Sequence, residues 1–142
     1  MNREFEQFIE KHIEVRKSFA FETTLRTAIT FEQARRARFN GFFVSMSYVA
    51  LADVEINLRR IKARAKLGSH SAPIEVLRDI HTRSLQNLKQ AIVECGVSID
   101  RLTIYDNTTF DHSPRLLAEI EQGRILYLSD DLPSWLRDAL PG

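Results

Sequence analysis

Residues 42–51 read FFVSMSYVAL, a run of large and β-branched side chains interrupted only by Ser45 and Ser47. A run with no polar face predicts a strand buried on both sides, as in parallel sheets. Working outward from it, Thr30 to Phe39 predicts a helix, which Asn40-Gly41 ends. Phe19-Ala20-Phe21 predicts a short buried strand, broken by Glu22-Thr23-Thr24. Phe5, Phe8, Ile9 and Ile13 recur at helical spacing and predict an amphipathic helix over residues 3–16. On the other side, Asp53 can cap a helix with the stripe Val54, Leu58, Ile61 and Ala65, closed by Gly68. Pro73 opens a long helix that carries Ile74, Leu77, Leu85, Leu88 and Ile92 on one face through Glu94. Arg101 to Tyr105 predicts a strand ending in the turn Asp106-Asn107. Ser113-Pro114 predicts the start of a short helix that Gln122-Gly123 ends. Ile125 to Leu128 predicts a last strand, and Pro133 a terminal helix containing Trp135. Helices alternating with apolar strands predict one α/β domain over residues 1–142, with a mainly parallel sheet flanked by helices.

The composition excludes several classes. Twenty Lys and Arg against 19 Asp and Glu give a net charge of +1, which argues against a whole-surface nucleic-acid binder. The single Cys95 allows neither an internal disulfide framework nor a CxxC metal site. No apolar run approaches the ~18 residues that span a bilayer, and the charged opening MNREFEQFIEK is not a secretory signal. Together these predict a soluble, cytoplasmic domain. His12, His70, His81 and His112 lack zinc-ligand spacing, so no resident metal site is expected. There is no GxSxG for a serine hydrolase and no GxxxxGK[ST] phosphate loop in the 142 residues.

In an open α/β sheet, ligands bind beyond the carboxyl ends of the strands. Three places qualify: Glu22-Thr23-Thr24, the Tyr48 to Asp53 turn, and Asp106-Asn107-Thr108. Glu22 could accept a hydrogen bond from a substrate hydroxyl, with Thr23, Thr24 and Arg26 beside it, or it could simply cap the following helix. Arg59, Arg60, Lys62, Arg64 and Lys66 form a basic segment, in which Arg60 and Arg64 share one helix face. That face could clamp a polyphosphate, be solvated, or join Arg35, Arg36 and Arg38 in binding nucleic acid. The absence of interleaved aromatics weighs against nucleic acid.

Several segments together resemble the zeta-toxin-like P-loop kinases, the group that includes UDP-N-acetylglucosamine kinase-like proteins. They are FAFETTLR (19–26), GFFVSMSYVALADVEINLRRIKARAKLGSHSAP (41–73), RSLQNL (83–88), IYDNTT (104–109) and LPSWL (132–136). The resemblance implies ATP- and Mg²⁺-dependent phosphorylation of a small substrate such as a UDP-amino sugar, on an incomplete P-loop kinase-like three-layer fold. It places Glu22 in a strand-end Glu-Thr-Thr motif beside the substrate pocket, as a catalytic residue that positions the substrate, with Thr23, Thr24 and Arg26 as substrate contacts. It places Arg60 and Arg64 on the arginines of an R-(V/I)-x-x-R-V pattern, as catalytic charges. It also aligns Gly68 and His70 with a Gly-Gly-His, and gives Arg83, Asp106 and Asn107 as nucleotide contacts.

Three features depart from that family. The phosphate loop with its strand would fall before residue 1, Ser69 replaces a glycine, and Arg78-Asp79-Ile80-His81 stands where consecutive lid arginines belong. Asp79 there would repel phosphate. The resemblance therefore implies a truncated kinase, inactive as an isolated chain, or a partner-binding or nucleic-acid-binding module on the same fold. Loss of the loop's strand would leave a gap between residues 18–22 and 42–50, closed by direct pairing, by a homodimer or by a complementing chain.

Overall fold

The computed structural model describes residues 3–50, 59, 73–107 and 113–141. They form α1 (Arg3–Glu14), α2 (Ile29–Phe39), β1 (Ser45–Ala50), α3 (Ile74–Glu94), β2 (Arg101–Asp106), β3 (Arg115–Glu121), β4 (Arg124–Leu128) and α4 (Ser134–Ala139). The α/β class expected from the sequence is present. The helix expected after Asp53, with Val54, Leu58, Ile61, Ala65 and Gly68, falls outside the described residues apart from Arg59.

The sheet runs β1-β2-β3-β4 and is mixed rather than mainly parallel. Only β1 and β2 are parallel, with Ser45 opposite Arg101 and Ala50 opposite Asp106, whereas β2–β3 and β3–β4 are antiparallel. The correction comes from residues 115–121, expected as a helix and found as β3. Gln122 and Gly123, expected to end that helix, instead make a two-residue hairpin turn with φ of 50° and 79°. Two successive positive φ values match the twist of the flanking strands. Leu117, Ala118 and Ile120 are then buried in the sheet, which outweighs the modest helix preference of Leu, Ala and Glu.

The Phe19-Ala20-Phe21 segment is a second correction. It does not form a strand, and it does not pair directly with β1. Its rings pack instead against neighbouring aromatics, Phe21 on Phe5 at 4.9 Å and Phe19 on Phe42 at 5.8 Å between centroids. Ile9, Ile13 and Ala37 are buried within this aromatic group. A cleft of about 650 Å³ separates the segment from β1, lined by Phe19, Phe21, Glu22, Thr23, Met46 and Val49 among others. As a result Val49 is 53% exposed, and β1 is an edge strand rather than one buried on both faces.

The main core lies between the sheet and the helices. It joins Phe31 of α2, Leu88 and Ala91 of α3, Leu102 and Ile104 of β2, Leu117 of β3 and Leu136 of α4. The buried Asp100 ties the layers together at the start of β2. Its carboxylate accepts from the Val44 backbone N–H at 2.7 Å and from Gln122 Nε2 at 2.8 Å, and pairs with Arg38 Nε at 3.2 Å. Such a buried carboxylate is tolerated because each oxygen has a partner.

Candidate functional site

The carboxyl ends of the parallel strands lie at Ala50 and Asp106, where the Asn107 N–H bonds the Ala50 carbonyl at 2.9 Å. At the opposite end of α3, the Ile99 N–H bonds the Glu94 carbonyl just before β2 begins. Helix α3 therefore runs back along the sheet and brings its N-terminal half toward those strand ends. Tyr48 of β1 confirms the placement, its hydroxyl lying 2.9 Å from Ser84 Oγ of α3. Burial pushes the Tyr48 phenol above its ordinary value of 10.0, with the Ser84 hydrogen bond pulling the other way. Tyr48 therefore stays protonated and acts as a neutral anchor.

Segment 22–28 is strapped across this end of α3. Leu25 is buried and takes a φ of 54°, unusual for a branched side chain. The conformation is held at two points, by the Leu25 N–H donating to Thr23 Oγ1 at 3.1 Å and by Asn87 Nδ2 donating to the Leu25 carbonyl at 2.7 Å. Arg26 is thereby carried to Asp79, where its Nε and Nη2 both lie 2.7 Å from Oδ2. From α3 itself, Arg83 Nε donates to Asp79 Oδ1 at 3.0 Å. The Arg83 hydrogen bond, with Arg26 adding to it, holds the Asp79 carboxyl below its ordinary value of 3.8. Two guanidinium groups from different elements thus close on one carboxylate.

The structure brings together some of the residues expected from the sequence. Arg26 and Arg83 meet on Asp79, while Glu22 and Thr23 line the cleft beside β1. Thr24 is exposed on the same segment, and Asp106 and Asn107 end β2 with partial burial. Arg60 and Arg64 fall outside the described residues, as do Gly68, Ser69, His70 and Thr108. Asp79, expected from the sequence to repel phosphate, is found paired with both arginines. Sequence reasoning missed this partnership. The Asp79–Arg83 spacing of four is a legible helical pair, but the link to Arg26 crosses 53 residues. Tyr48–Ser84 and Leu25–Asn87 were likewise hidden by distance along the chain.

Residues 1–113 match the Zeta toxin family. The chain belongs to that family. The zeta-toxin match takes in α1, which precedes Phe19, and ends before β3, so the LPSWL segment lies beyond it. A similar protein is an uncharacterized protein of Haemophilus influenzae Rd, 37% identical over 70 residues, which make up 49% of this chain and 47% of that protein. The chain thus matches about half the length of that relative. No solved structure matches.

No group of three or more His, Cys, Asp or Glu among the described residues is placed to hold a metal. No helix among them is long and apolar enough to cross a membrane.

Proposed function

We propose that this chain is a zeta-toxin-type module that binds a small phosphorylated ligand of the sugar-nucleotide class without transferring phosphate on its own. The observation that carries this reading is the convergence of Arg26 and Arg83 on Asp79 in the N-terminal half of α3. Paired guanidiniums suit phosphate oxygens, with a fork geometry that Lys lacks. Glu22 would accept a hydrogen bond from a sugar hydroxyl at the mouth of the cleft, with Thr23 and Thr24 supplying further polar contacts. Asp106 and Asn107 would face the nucleotide at the end of β2. Arg60 and Arg64 would add charge by family resemblance.

Phosphoryl transfer demands charge stabilisation that is already in place. The 142 residues carry no GxxxxGK[ST] loop, and on this reading Arg26 and Arg83 exchange Asp79 for the ligand's phosphate, which is binding rather than catalysis. A toxin–antitoxin partner, the cytoplasm as the site of action and a UDP-amino sugar as ligand are the family's implications for such a module.

The nucleic-acid reading has less support, because the net charge of +1 supplies no basic excess and three of its arginines sit in separate ion pairs. Arg35 pairs with Glu94, Arg36 with Glu10 at 2.6 Å, and Arg38 with Asp100. The test is a coupled assay for ADP release from ATP·Mg²⁺ in the presence of UDP-N-acetylglucosamine, run beside a calorimetric titration with the sugar nucleotide. Binding heat that falls in Arg83→Ala, with no ADP above a no-protein control, is the expected result. Sustained ADP release would overturn the non-catalytic reading, and no heat in the wild type would overturn the ligand site.

A further inference from the structure

β4 forms the far edge of the sheet, and all five of its residues are exposed. Ile125, Leu126, Tyr127 and Leu128 are between 39% and 56% exposed, so neither face of the strand is covered. Its neighbour β3, by contrast, buries Leu117, Ala118 and Ile120. Apolar edge strands are normally blunted by an internal Lys, a Pro or a covering element. RILYL contains neither Lys nor Pro. A bulge at Leu126, the residue between the partners of Ile120 and Glu119, twists the edge without placing a charge on it. β3 and β4 also lie beyond the zeta-toxin match, so the family's ligand chemistry gives this surface no use.

The charges flanking the strand say what covers it. Arg124 stands at its start and Asp130 just past its end, both exposed. We infer that β4 pairs antiparallel with β4 of a second copy of this chain. With Tyr127 on the two-fold axis, Leu126 falls opposite the partner's Leu128, and Arg124 opposite the partner's Asp130. The two-fold axis repeats the charge pair, so the edge is complementary to itself. A parallel copy would set Arg124 against Arg124 and lose both pairs. A five-residue strand is roughly 17 Å long, too short to bury the ~800 Å² per partner of a standard interface. The dimer is accordingly weak and concentration-dependent.

Sedimentation velocity on the full chain over a concentration series tests this. The expected result is a monomer–dimer equilibrium whose dissociation constant rises about tenfold in Arg124→Glu and in Asp130→Arg, where like charges meet. The double variant restores it. Both residues are exposed, so the folded state is retained, and circular dichroism checks this. Amide exchange provides a second readout in the unaltered protein, with residues 125–128 protected only at high concentration. A monomer at every concentration overturns the inference. So does a dimer indifferent to both charge reversals, or one that the double variant fails to restore, since either uses another surface.

Discussion

Glu94 shows how a single carboxylate is kept charged inside the fold. Its side chain is 4% exposed, and burial alone would raise its pKa. Hydrogen bonds from Ser98 at 3.0 Å and Gln90 at 3.1 Å, with the Arg35 guanidinium, more than offset that and leave it below its ordinary value of 4.5. A carboxyl lowered in the folded state stabilises above its unfolded value, and that contribution is lost as pH falls through the folded one. Glu94→Gln should therefore cost about 2 kcal/mol at neutral pH. It should also reduce the loss of stability on acidification below 4.5. Urea midpoints for both proteins at pH 7 and at acid pH measure the two effects. An unchanged acid response in the variant would mean that other carboxyls govern it. Nothing in the local sequence around Glu94 announces this role, since its partner Arg35 lies 59 residues away.

The elements divide by whether local pattern and tertiary burial agree. α1, α2 and α3 were legible because their apolar spacing and end signals, such as Asn40-Gly41 and Pro73, point the same way. β2 and β4 were legible from short apolar runs. β3 was not, because Leu, Ala and Glu favour a helix locally and only pairing with β2 and the Gln122-Gly123 turn makes it a strand. Phe19-Ala20-Phe21 misled in the opposite sense, since apolar content there serves an aromatic cluster rather than a ladder. At the candidate site, Glu22, Arg26 and Arg83 were legible from motif and resemblance, whereas their mutual geometry was not. Two glycines test the element-scale description. Gly123 has a φ of +79°, and an added Cβ would meet only the Cys95 carbonyl at 3.4 Å. Gly96 has a φ of +97°, and its Cβ would press on the Gln122 backbone at 3.2 and 3.3 Å. Gly123→Ala should cost about 1 kcal/mol. Gly96→Ala should cost roughly 2 kcal/mol or more, because strain and a backbone clash add. Equal costs in chemical denaturation would contradict the close approach of residue 96 to the hairpin.

At the scale of the whole molecule, the two edges of the sheet differ. The β1 edge faces a cleft walled by Glu22 and Thr23, a few residues before the Arg26 that reaches α3. The β4 edge is an open apolar strand on the opposite side. The proposed ligand site and the inferred dimer surface thus belong to different edges of the sheet, so variants at one should leave the other intact. In the proposed function Asp79 holds the Arg26 and Arg83 guanidiniums until the phosphate of a ligand displaces it. Asp79→Asn removes the competing charge while keeping the shape of the side chain. Calorimetric titration of UDP-N-acetylglucosamine into the wild type and into Asp79→Asn is the most direct measurement. Affinity about tenfold higher in the variant, or roughly 1.4 kcal/mol, is the predicted result. Equal or weaker binding by Asp79→Asn would contradict it.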